Sequence, residues 1–201
     1  MYQNLENAAT DIIHKTLEQN PAVHFSIGAG WGFHRRSAEL ARYLVRYGKR
    51  RDGLHVNADQ TGVVLFYTSK LRVKGFLDIV DEVRLLFLAI GPIRAWRVWQ
   101  RKRQIERHQR IFTSFIHCWY LGVNPAHRSM ATAAALRDVL FQESDRLQLP
   151  VLAETTLVRN RDAYARMGFR VYAEVVVGGM KTFLLCREPS ERSAQSFIKK
   201  I

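Results

Sequence analysis

Leu121-Gly122-Val123-Asn124-Pro125-Ala126-His127-Arg128-Ser129-Met130-Ala131-Thr132-Ala133 is the stretch on which the fold turns. It leaves a strand-like run, residues 116–123, crosses a short loop at 124–130, and enters a helical segment, 131–147, whose first residues are small. The N–H groups of a helix's first turn have no acceptor within the helix, and the macrodipole favours negative charge there. Where no large side chain intervenes, a diphosphate can approach that backbone closely. Small residues at a helix start also serve plain helix-to-sheet packing, so the neighbouring elements decide between the two uses.

Downstream, Pro150 opens a short strand, 151–154, and a polar link reaches Asn160 before a short helix ends at Gly168. Residues 169–177, the Gly178-Gly179 turn and residues 181–186 then read as a closing hairpin. Upstream, Leu5, Ala8, Ile12, Ile13 and Leu17 fall at helical spacing and Asn20-Pro21 ends that helix. A second helix is expected from Ser37, with Arg42, Arg46 and Lys49 on a solvated side opposite Leu40, Ala41, Leu44 and Val45. A hairpin follows, pairing 54–56 with 63–67. Residues 74–90 form a mostly apolar helix whose narrow polar edge (Asp78, Asp81, Glu82, Arg84) implies cover on its other sides. Gly91-Pro92 breaks it, and 93–110 make a basic helix whose Trp96 and Trp99, at i and i+3, have the spacing of a buried face. One domain spanning 1–201 is expected, with an insertion at about 72–110 and a loose tail at about 189–201.

Arg128, Ala131 and Ala133, preceded by Leu121-Gly122-Val123 and Pro125, resemble the acetyl-CoA loop of the GNAT superfamily of N-acetyltransferases, Gln/Arg-x-x-Gly-x-Gly/Ala after a strand. In this chain Ala131 stands at the first glycine, and Ser129 and Met130 replace the Gly and basic residue often found beside it. Leu149-Pro150-Val151-Leu152-Ala153-Glu154-Thr155 resembles the family's fifth strand. Asn160, Tyr164 and Gly168-Phe169 resemble its downstream signature, and the Glu154-to-Asn160 spacing is similar to that of the puromycin N-acetyltransferase type. The resemblance covers about residues 116–187. It implies a mixed α/β fold, with a central, largely antiparallel sheet flanked by helices and a two-helix insertion between the third and fourth strands.

The resemblance also implies roles. The fourth strand would splay from the fifth, so that backbone at Leu121, Gly122 and Val123 holds the pantetheine arm and polarises the thioester carbonyl. Arg128, Ser129, Met130, Ala131, Thr132 and Ala133 would cradle the diphosphate, and Asn160 would bind the cofactor arm. Tyr164 would protonate the departing thiolate, a role suited to a phenol that stays protonated at neutral pH. Tyr164 has packing on the sheet as its alternative, and Asn160 has capping of its helix. Glu154, at a strand end beside the expected cleft, is the leading base acting through water, with an ion pair as the alternative. His117, between apolar residues on a strand, reads as a satisfied core histidine. Acetyl-CoA is the implied co-substrate, a small-molecule amine the acceptor, and no metal is needed for direct attack in a ternary complex. The insertion would cover the acceptor side, with Trp96 or Trp99 lining the pocket and the Gly178-Gly179 loop opposite.

The 201 residues, 47% apolar and 24% charged, suffice for one domain with a core and exclude a disordered chain. Cys118 and Cys186, each inside an apolar run, read as reduced core residues and point to a cytoplasmic protein. The longest apolar run stops at Gly91, short of a transmembrane segment, and residues 1–20 lack a signal peptide's apolar stretch. The formal charge of +13 is concentrated: residues 34–51 and 94–110 each hold seven Lys/Arg against one acid, a net +6 apiece. Such stretches suit an anionic partner or a solvated face. A nucleic-acid partner is disfavoured because no zinc pattern, Gly-rich RNA motif or helix-turn-helix accompanies them. Rival readings remain: a weak or inactive acyl-CoA-binding protein of the same fold, a basic nucleic-acid or anionic-surface binder, and a 74–90 helix serving as a homodimer surface or an interfacial membrane contact.

Overall fold

The computed structural model describes residues 2–69, 75–127 and 129–190. Arg128, the first residues of the expected insertion and most of the expected tail lie outside them. Six strands form one mixed sheet: β1 (Leu54–Val56), β2 (Gly62–Thr68), β3 (Ile116–Val123), β4 (Val151–Thr155), β5 (Arg170–Val177) and β6 (Met180–Arg187), in the order β1-β2-β3-β4-β6-β5. Only β3 and β4 run parallel, joined by α6 (Met130–Leu147) as the crossover that a parallel pair requires. The closing hairpin turns at Gly178 and Gly179, both at positive φ, the conformation a two-residue hairpin loop demands.

One sheet face packs on α1 (Tyr2–Leu17) and α3 (Phe33–Lys49), burying Ile12, Ile13, Leu44, Val63 and Leu65. The other packs on α6 and α7 (Val158–Arg166), around Val64, Phe66, Ile116, Leu136 and Leu140. Gly62 sets the approach of α6: a Cβ there would meet Thr132 Cγ2 and Leu136 Cδ1 at 2.7 Å.

Four expectations are corrected. Asn20-Pro21 does end α1, but it also starts α2 (Pro21–Ile27): Asn20 Oδ1 accepts from Ala22 N at 3.0 Å and Pro21 opens the first turn. The next helix begins at Phe33, before Ser37. Because the described residues before Leu54 contain no strand, β2 and β3 stand where the resemblance has its third and fourth strands, and the insertion lies between them as expected. It comprises α4 (Phe76–Leu85), a π-helical turn (Leu86–Ile90) and α5 (Pro92–Gln109).

The third and fourth corrections concern the charges. The polar edge of α4 is its buried side. Arg51 Nη2 donates to Asp78 Oδ2 at 2.7 Å, Arg50 Nη2 reaches Asp78 Oδ1 and Asp81 Oδ2 at 2.8 Å, and Arg46 Nε donates to Asp81 Oδ1 at 2.8 Å. Arg51 is only 7% exposed and its guanidinium lies 3.6 Å over the Tyr47 ring. The C-terminal part of the first basic cluster is therefore not a solvated face; it clamps α4 to α3 through carboxylates found nearly thirty residues later. The apolar side of α4 consequently points outward, and Trp96 and Trp99 are exposed and stacked on each other, ring centroids 4.8 Å apart. Among the described residues no helix is long and apolar enough to cross a membrane.

Hydrogen bonds from Arg51 and Arg50 hold the Asp78 carboxyl well below the usual carboxylate range. A native value below the unfolded one, about 3.9, means the stabilisation is complete above that value and is lost as pH falls toward the lower native one. Asp78→Asn, which leaves Arg51 buried without its carboxylate, is expected to cost about 3 kcal/mol in urea denaturation at pH 7. The deficit relative to the parent should shrink as the titration is taken below pH 4.

Candidate active site

Pairing between β3 and β4 covers only Ile116 with Val151, His117 with Leu152 and Cys118 with Ala153. Beyond it the strands part, as the resemblance implies for the family's fourth and fifth strands. The cause is local: Leu65 pairs with Tyr120 and Phe66 with Cys118, so Trp119 is an extra residue, a β-bulge that bends β3 away from β4. On the β4 side the backbone of residues 119–123 thus has no strand partner, and Leu121, Gly122 and Val123 are half-buried along this gap. Gly122 is required by crowding, because a Cβ there would lie 2.1 Å from the Tyr120 hydroxyl.

At the end of β3 the chain enters α6. Ser129 is its N-cap, with Oγ accepting from Thr132 N at 3.3 Å, and Ala133 N bonds Ser129 O at 3.2 Å. The N–H groups of Met130 and Ala131 point out of the first turn, where Met130 is 88% exposed and Ala131 is also exposed. Thr132 and Ala133 are half-buried beside them. The first-turn backbone is open to an anion, and the methyl of Ala131 is the bulk added where the loop pattern has glycine.

Helix α7 flanks the other side of the gap. Asn160 is exposed in its first turn, but it is not the cap: Leu157 occupies that position, with Asn160 N bonding Leu157 O at 3.1 Å. Tyr164 stands one turn further on, its ring edge-on to Phe169 at 5.1 Å. Burial first, then Cys118 and the Glu154 carboxylate, raise the Tyr164 phenol well above its ordinary value. Tyr164 thus packs on the sheet, and its hydroxyl stays protonated in the neutral range. Burial also pushes the Cys118 thiol up to about 12, consistent with an inert core cysteine.

Residues of β4 alternate between the two faces. Val151, Ala153 and Thr155 turn toward α6, whereas Leu152 and Glu154 turn toward α1, α3 and α5. Glu154 therefore enters a cleft of about 830 Å³ on the face opposite Tyr164. Its Oε1 accepts from His117 Nε2 and from Gln109 Nε2, each at 3.0 Å. His117 Nδ1 lies 2.7 Å from the Tyr67 hydroxyl, so a chain of hydrogen bonds runs from Tyr67 through His117 to Glu154. His117 is satisfied and buried as expected, yet it also lines the cleft.

Aromatic residues line the cleft: Tyr43, Tyr47, Tyr67, Trp99, Trp119 and Tyr120. Trp99 contributes and Trp96 does not, and the opposite wall comes from α1, α2 and α3. The Gly178-Gly179 loop is not among the lining residues, because Gly178 abuts Phe25 of α2. Two buried polar atoms, Arg101 Nε and Gln109 Oε1, have no hydrogen-bond partner among the described residues, and both residues line the cleft. Burial lowers the pKa of the Arg101 guanidinium. Tyr67, Arg101 and Gln109 were not legible as site residues, since they come from β2 and the insertion and carry no motif. Away from the lining residues, His14, Glu18 and His34 gather at the α1–α3 surface, with ligand-type atoms within 4.8 Å of one another.

No family model matches this chain, and no curated protein does. Solved structures match over nearly the whole length. A structure described as histone acetyltransferase HPA2 and related acetyltransferase from Corynebacterium glutamicum is 12% identical, with a TM-score of 0.64 over 94% of this chain and 93% of that one. Arylalkylamine N-acetyltransferase 2 from Aedes aegypti is 14% identical, with a TM-score of 0.59 over 91% and 94%. A GNAT-family chain from Desulfovibrio desulfuricans is 13% identical, with a TM-score of 0.54 over 94% of both. This chain thus has the fold of the GNAT acetyltransferases.

Proposed function

We propose that the chain is an acetyl-CoA-dependent N-acetyltransferase that moves acetyl to an amine of a small molecule by direct attack within a ternary complex. One observation carries the reading: the gap between β3 and β4 has an open helix start and Tyr164 on one face and a cleft floored by Glu154 on the other. Two substrates can meet there from opposite sides, which is the arrangement direct transfer needs.

The first-turn N–H groups of Met130 and Ala131 would hold the diphosphate, and Asn160 would contact the cofactor arm. Unpaired backbone between Leu121 and Val123 would hold the pantetheine and donate to the thioester oxygen. Glu154, fixed by His117 and Gln109, takes a proton from the acceptor ammonium, directly or through one water. As the nitrogen–carbon bond forms and the carbon–sulfur bond breaks, the second proton of the attacking amine leaves to solvent and Tyr164 gives one to the thiolate, after which Tyr164 regains its proton from solvent and Glu154 releases its own there. The raised value of Tyr164 keeps that proton in place throughout the neutral range. His117 and Tyr67 act through Glu154 as positioning residues.

The acceptor class follows from the walls. Six aromatic rings, with the carboxylates of Glu82, Glu106 and Glu154 among them, suit an amine carried on an aromatic or apolar body, the kind of substrate named for the Aedes aegypti structure. Buried Arg101 Nε and Gln109 Oε1 leave room for one polar substituent on that body.

Thiol release from acetyl-CoA across a panel of arylalkylamines tests the reading. Tyr164→Phe is expected to lower kcat by about 10²–10⁴-fold with an unchanged melting temperature, and equal rates would remove Tyr164 from the mechanism. Ala131→Asp separates binding from stability. It should stabilise α6 by about 0.3–1 kcal/mol through the macrodipole while abolishing the calorimetric signal of CoA. A parent chain that gives no heat with millimolar CoA and no thiol release overturns the assignment.

A further inference from the structure

Helix α4 is amphipathic in the wrong sense for a protein surface. Its carboxylates are clamped inward by three arginines, and Phe76, Ile79, Val83 and Phe87 are left on the outside, with Phe76 77% and Phe87 75% exposed. The first turns of α5 continue the patch with Ile93 and Trp96. Isolated apolar residues on a surface need no explanation, but a stripe running along one helix and onto the next does. Turning α4 about its axis would bury the stripe. The ion pairs forbid this, so the fold spends buried charge on holding apolar side chains in water.

We infer that the outer face of α4 and α5 docks on an anionic phospholipid surface. Arg97, Arg103 and Arg107 are exposed on α5 beside the apolar patch, within the segment that carries a net +6. Lipid headgroups supply the negative charge, and the acyl boundary just beneath them supplies cover for the phenylalanines and for Ile93. Trp96, apolar with a polar edge, belongs at that boundary. Other occupants fit one half only. A second copy would cover the apolar stripe but would bring two basic α5 helices of a +13 chain together. A nucleic acid would match the arginines and stack on Trp96, and would leave Phe76, Ile79, Val83 and Phe87 in water.

Sedimentation of the full chain with vesicles tests this without recourse to activity. Vesicles containing phosphatidylglycerol should carry the protein down, and phosphatidylcholine vesicles should not. Added salt should weaken binding, and tryptophan emission should shift to the blue on the bound protein. Phe87→Ser with Ile93→Ser should reduce binding at least about tenfold, since each removes a large apolar side chain from the contact. Arg97→Glu with Arg103→Glu, which removes no apolar side chain and so guards against a folding defect in the first pair, should do the same. Failure of both vesicle types to bind overturns the inference, and so does full binding by either pair of variants. If vesicles fail and sedimentation velocity shows a dimer dissolved by Phe87→Ser, the face belongs to a second copy. If vesicles fail and a single-stranded oligonucleotide binds saturably, it belongs to nucleic acid.

Discussion

The parting of two parallel strands after three paired residues is the constraint on which the site depends. A parallel pair normally exhausts its backbone donors and acceptors in the ladder. Here the ladder stops at Cys118 and Ala153, and the extra residue at Trp119 turns the rest of β3 away. A sheet interior that would have been closed becomes a slot lined by backbone groups with no strand partner on the β4 side. The bulge also shifts the side-chain alternation of β3 by one residue. Trp119 and Tyr120 both pack toward the α1–α3 side, while Cys118 and Leu121 stay on the α6 side. One inserted residue therefore opens the slot and furnishes one of its aromatic walls.

Strand parity then decides which side chains face the cleft. On β4 the residue that ends in the cleft is Glu154 because Leu152, two positions earlier, also faces that side. A shift of one residue would send the carboxylate toward α6 and leave His117 and Gln109 without their acceptor. Buried carboxylates are costly unless hydrogen-bonded, and Glu154 meets this condition with an imidazole N–H and an amide N–H on the same oxygen. Tyr164 reaches the slot from the opposite face, on the helix that follows β4. A proton taken on one face and a proton given on the other is the division of labour this geometry permits.

The parts of the fold legible in the sequence were those set by local pattern. The strand-loop-helix at residues 116–147, the short strand after Pro150 and the Gly178-Gly179 hairpin each stand on turn residues and periodicity within a few positions of the observed elements. The site was legible where it follows from that segment, in the opened backbone, the α6 start, Tyr164 and Glu154. What could not be read was which face of a helix turns inward. Periodicity shows that α4 has an apolar side and a polar side, and the usual rule sends the apolar side in. Arg46, Arg50 and Arg51 reverse the rule from a helix that ends before β1, a long-range pairing no window on α4 contains. The same reversal leaves Trp96 and Trp99 exposed despite their i, i+3 spacing. The cap of α7 was misplaced for a smaller reason: Leu157 fills that position by backbone conformation alone, with no side-chain bond for a sequence to advertise.

The two basic clusters, similar in count, do opposite work. At the end of α3 the arginines are consumed internally, since two aspartates of α4 neutralise much of their charge and the Tyr47 ring covers Arg51. Exchanging such a network for apolar residues of similar volume is often neutral or stabilising, so stability alone does not explain it. What the network provides is orientation: it fixes which side of α4 faces out. On α5 the cations other than Arg94 and Arg101 are exposed, with only Glu106 among them as an acid. Charge sequestered on one helix thus sets the apolar face, and charge left exposed on the next sets the sign of what that face can meet. The insertion joins both to the cleft that holds Glu154, because Val83 and Trp99 line it from the same two helices. A surface that engages these helices from outside therefore bears on the walls of that cleft.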